Sequence, residues 1–84
     1  MPTSHATAYV DHLTHERRPA NTVAAARRVL RSLPDADTAT REDVEAWWAS
    51  RAHLSPATRS NDLAILRTFY AWCRRWEHRD DDPT

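Results

Sequence analysis

Glycine is missing from this sequence altogether, and so is lysine. Without glycine no residue freely takes the left-handed turns of tight β-hairpins, and no flexible loop can wrap a nucleotide's phosphates. Hairpin-rich sheets and glycine-loop nucleotide enzymes therefore lose their usual basis. The one cysteine, Cys73, has no partner within the chain, so no internal disulfide forms and a reducing interior is the expected setting. No apolar run is long enough to span a membrane, and the polar N-terminal stretch does not read as a secretory leader.

What is present favours helices. Eighty-four residues suffice for one small domain, and such a domain buries roughly 60–65% of its unfolded surface. Four tryptophans enlarge an otherwise thin core. Alanine and arginine are abundant, and both favour helix. All twelve basic residues are arginine, whose planar fork pairs well with phosphate. Formal net charge is zero, yet Glu77, Asp80, Asp81 and Asp82 crowd the last eight residues. Up to Trp76 eleven arginines face eight acids, a surplus of three positive charges that permits contact with a polyanion.

Four helices are expected. Residues 1–3 read as loose. Ser4 caps a first helix, SHATAYVDHLTHE, with Ala6, Tyr9, Val10 and Leu13 on its apolar edge; Arg17, Arg18 and Pro19 end it. Asn21 reads as the cap of a second, NTVAAARRVLRSL, burying Val23, Ala26, Leu30 and Leu33. Pro34 stops it in a turn-forming loop. Thr40 opens a third, with Asp43 completing a variant capping box and Val44, Trp47 and Trp48 on the apolar face. Ser55 and Pro56 start the longest, with Leu63, Leu66, Tyr70 and Cys73 as one stripe and Phe69 beside them. Asp62 reads as lying near the margin of its polar face. After Trp76 the acidic, proline-containing segment reads as a linker or solvated tail. The expected fold is all-α: a small four-helix orthogonal bundle of two helical hairpins.

The second and fourth helices share a design. Each starts with a cap and a threonine, then shows small residues and arginines outward: Ala24, Arg27, Arg28 and Arg31 on one, Arg59, Ser60, Asn61, Ala64 and Arg67 on the other. Small residues allow close approach, helix N-termini attract phosphate, and Arg and Asn read base edges. A solvated Arg/Ala face has the same composition.

The order NT-(x)-aa-RR-x-L, then T-x-ED-V-x-x-W, then LSPATRSNDLAILRTFYAWCRR resembles the N-terminal core-binding domain of tyrosine recombinases, the phage integrase family. The likeness runs from about Tyr9 to Pro83, and the Ser-Pro-x-Thr cap before Leu, Leu-Arg, Phe-Tyr and Trp is its most specific part. It implies a SAM-like four-helix domain over residues 1–79, with 80–84 a linker towards a catalytic domain. It implies a partner, double-stranded DNA, gripped at a recombination half-site, with other recombinase protomers as further partners. No small-molecule substrate, cofactor or membrane is expected, and the setting would be a bacterial or phage-encoded protein in the cytoplasm. Carried over, Thr22, Ala25, Arg27, Arg28 and Arg31 fall on the DNA side of the second helix. Ser55, Thr58, Arg59, Asn61 and Arg67 fall on that side of the fourth, or at its edge. Ala26 and Cys73 stand where family members often carry an aromatic residue and a leucine.

No catalytic residue is expected. Tyr9 and Tyr70 lie on apolar stripes with no activating group placed beside them. His5, His12 and His15 share a side of the first helix, but a structural zinc usually takes four ligands, and no metal is assigned. Trp47, Trp48, Trp72 and Trp76 fall at core and core-edge spacing rather than forming a platform for single strands. Two rivals remain: a stand-alone helical protein-interaction module acting as partner or competitor of an intact recombinase, and a helix-turn-helix regulator. The second fits poorly, because the third helix starts acidic and the fourth is long.

Overall fold

Three of the four helices begin at capping side chains. In the computed structural model, which describes residues 4–76 and 78–84, the helices are α1 (His5–His15), α2 (Ala20–Arg31), α3 (Arg41–Ser50) and α4 (Pro56–Arg75). Residues 1–3, expected to be loose, and Glu77 of the acidic segment lie outside the described residues. Ser4 accepts from the Thr7 N–H at 3.0 Å, and Ser55 from the Thr58 N–H at 3.2 Å. Thr40 and Asp43 form the full reciprocal box, each side chain accepting from the other's N–H. α2 differs from expectation. Its N-cap is Pro19, with no side-chain cap, and Asn21 is already helical. Proline's fixed φ presets this start, which leaves the Asn21 side chain free.

α1, α2 and α4 pack pairwise against one another. α3 joins through its buried Val44 and Trp47, and the Trp47 indole donates to the Ser32 hydroxyl at 2.7 Å. Among the described residues there is no strand, so the fold is a small all-α four-helix bundle. Its centre is the buried face of α4: Leu66, Phe69, Tyr70 and Cys73 are fully enclosed. Tyr9 fits its ring against Phe69 at 5.4 Å and Trp72 at 5.2 Å. Ala26 and Cys73 belong to the same core.

Two loop contacts fix the ends. Asp37, between α2 and α3, accepts from the His5 and Ala6 N–H groups at 2.7 and 3.0 Å, so an acid from another element holds the positive end of α1. The segment after α4, read from sequence as a linker or solvated tail, folds back. Arg79 donates to the Ala39 carbonyl at 2.8 Å and lies 5.1 Å from the centre of the Tyr70 ring, and Pro83 is buried. An arginine can span exposed acids and buried carbonyls at once, which charge counting alone does not reveal.

Candidate nucleic-acid interface

The packing of α2 on α4 creates a shallow groove of about 520 Å³. Its lining is mixed: Thr22, Ala25 and Ala26 from α2 and Asn61, Ala64, Ile65 and Thr68 from α4 meet Tyr9 and Leu13 of α1, with Asn21 and Arg18 at the α2 entrance. Among the described residues no acid lines it. The α2 and α4 side chains that open outward here are short at Thr22, Ala25, Asn61, Ala64 and Thr68, while the core residues Tyr9 and Leu13 reach its lining from α1.

Arg18 reaches the groove through an unusual turn. Arg17 has φ 58°, the left-handed region that glycine normally fills. The Arg18 N–H then donates to the Leu13 carbonyl and the Arg17 N–H to that of Thr14, the two bonds of a Schellman ending. Arg18 stays exposed beside Glu16 at 3.5 Å, a contact too open to neutralise it.

Arg28 sits one turn beyond Ala25 on the same side of α2, towards the groove end marked by Asn61. Its Nη2 donates to Asp62 at 2.9 Å. Asp62 is fully buried, not marginal as its sequence position suggests. The buried stripe of α4 keeps the expected Leu66, Phe69, Tyr70 and Cys73 and adds Asp62 at its start, while Leu63 is partly buried and packs against the core. The second oxygen of Asp62 accepts from Arg51, the C-cap of α3. A carboxylate taken out of water needs such partners, and here two arginines supply them.

The ten residues singled out from sequence do not form one patch. Thr22, Ala25 and Asn61 share the groove; Arg28 does not line it but pairs with Asp62, next in sequence to Asn61. Arg27 and Arg31 lie on the other flank of α2, in a depression that α1 completes with Asp11. Ser55 and Thr58 are bonded to each other at the exposed start of α4. Arg59 is occupied: its guanidinium stacks 4.1 Å from the Trp48 ring centre and donates to the Trp48 carbonyl. Arg67 faces α3, beside Arg41, Glu45 and Thr84. Sequence reading left out Asn21, taken for a cap, and Arg18, taken for a helix terminator. For Asn21 the signal was the proline two residues before it.

Both tyrosines pack in the core. Tyr70 is enclosed and donates to the Ala36 carbonyl at 2.8 Å, and burial pushes its hydroxyl up to about 12. Burial likewise raises Tyr9. Among the described residues no group of three or more His, Cys, Asp or Glu side chains is arranged to hold a metal ion, and no helix is long and apolar enough to cross a membrane. Comparison with known protein families, curated proteins and solved structures finds no match to this chain.

Proposed function

We propose that this chain is a DNA-binding module of the tyrosine-recombinase type, gripping double-stranded DNA at a recombination half-site and carrying no catalytic residues of its own. The observation that carries the reading is the α2/α4 groove, which no acid lines among the described residues, with Thr22, Ala25, Asn61 and Ala64 inside it, Arg18 at its entrance and Arg28 nearby on α2, paired with Asp62 beside Asn61. Short side chains let a helix pair approach a duplex closely, arginines at the rim meet phosphates, and Asn61 is of the type that reads adenine. Arg27 and Arg31, on the other flank of α2, suit the same backbone rail, and Ser55 and Thr58 offer the N-terminal end of α4. In this reading Arg59 is a structural peg on Trp48, and Arg67 stands away from the duplex.

The test is a titration with duplex DNA at several salt concentrations. With about four phosphates engaged, log affinity falls against log salt with a slope of about −3.6. Ala64→Glu sets an acid in the groove and is expected to weaken binding by at least about ten-fold, the scale of one misplaced charge at an interface. No measurable binding by the native chain at low salt sinks the reading. Native-like binding by Ala64→Glu moves the contact to another face. One observation favours a protein partner instead: Trp76, at the end of α4, is 58% exposed, the large apolar side chain left open among the described residues.

A further inference from the structure

We infer that Asp62 is a positioning residue for DNA contact, holding the Arg28 guanidinium with its free nitrogens turned outward near the groove; this rests on the DNA-binding reading above. Asp62 has no exposure, whereas the Arg28 side chain is 61% exposed although bonded to it. Among the described residues only Nη2 of Arg28 is engaged, so Nε and Nη1 remain to donate to a phosphate. One guanidinium then bridges a buried carboxylate through Nη2 and a phosphate through one of its other nitrogens. Arg51, only 16% exposed and packed 5.0 Å from the Trp47 ring centre, already balances the charge of Asp62. The three groups together carry one net positive charge, and its open member is Arg28. A side chain held in advance loses less rotamer freedom when the phosphate arrives.

Two roles for Asp62 give opposite signs. If the carboxylate only anchors the α3–α4 link through Arg51, Asp62→Asn removes one negative charge beside the groove and tightens binding of a polyanion. If it aims Arg28, the same change frees that side chain and weakens binding. The full chain is titrated with a mixed-sequence duplex, by anisotropy, over a salt series. Asp62→Asn is expected to raise Kd about ten-fold, the scale of one charge-assisted hydrogen bond, and to lower the salt slope by about 0.9, the share of one phosphate. Arg28→Ala alone and together with Asp62→Asn should give the same Kd, since the acid acts through the arginine. Arg28→Lys keeps the charge and the pair with Asp62 but loses the fork; it should also raise Kd while leaving the unfolding midpoint in place.

Native or tighter binding by folded Asp62→Asn overturns the inference, as do effects of Asp62→Asn and Arg28→Ala that multiply. If Asp62→Asn does not fold, Arg28→Lys decides, and native binding by it overturns the inference. A native chain that binds no duplex removes both this inference and the reading beneath it. Binding that Ala64→Glu disrupts and the Asp62 and Arg28 variants leave intact removes this one alone.

Discussion

Arg17 shows how a missing residue type leaves its mark at one position. α1 ends in a left-handed turn that glycine would take without strain, and the sequence has no glycine to offer. Arg17→Gly is expected to stabilise the fold by about 1 kcal/mol, the scale of a left-handed conformation imposed on a residue with a Cβ. The urea midpoint should rise with the denaturant slope unchanged; a lower midpoint would show that the arginine itself holds the turn. Neither Arg17 nor Asp62 was legible from sequence, and for related reasons. The turn at Arg17 belongs to a motif whose usual marker is absent. The burial of Asp62 depends on Arg28, 34 residues away, and Arg51, 11 away. Local periodicity sees neither partner, so an acid on a polar-looking helix reads as solvated.

Helix starts were legible wherever the cap and its N–H partner lie within one turn. Thr40 with Asp43, Ser4 with Thr7 and Ser55 with Thr58 are all i to i+3 pairs, so the chemistry is contained in four consecutive letters. α2 is the exception, because proline starts a helix through its backbone rather than a side-chain bond. This gives two contrasting outcomes. Ser55→Ala removes a working cap and should cost about 1 kcal/mol of stability. Asn21→Ala removes no cap and should leave thermal unfolding within about 0.5 kcal/mol of native, as for a surface change. A matched loss in both melts would return the cap of α2 to Asn21. The phase of α4 was legible too: Leu66, Phe69, Tyr70 and Cys73 are buried as expected and Leu63 packs against the core, but the burial of the neighbouring Asp62 was not. The small outer faces of α2 and α4 could be read from sequence; their meeting in a groove that leaves out Arg59 and Arg67 could not. The ring of Trp48 takes one of those arginines, and the turn of the helix takes the other towards α3.

At the scale of the whole molecule, the core binds its protons more firmly than the unfolded chain does. Burial raises Cys73 from 9.0 to about 11 and Tyr70 from 10.0 to about 12, and raises Tyr9 as well. Above pH 9 the unfolded chain releases these protons while the folded chain keeps them, so ionisation draws the equilibrium towards unfolding. Stability owed to these groups is complete below pH 9 and is lost as pH climbs towards about 12. Thermal melts across that window should fall steadily, and Tyr70→Phe should flatten the upper part of the fall; an unchanged slope in that variant would assign the loss elsewhere. The molecule measures 33 × 28 × 22 Å. The clasp of Arg79 on the Ala39 carbonyl, with Pro83 buried, gives this body a built-in mount. Thr84 emerges beside Arg41 and Glu45 of α3, on a different side of α4 from the groove. A dye or surface tether attached there is carried by the body as a rigid handle, reporting its tumbling while leaving the groove uncovered.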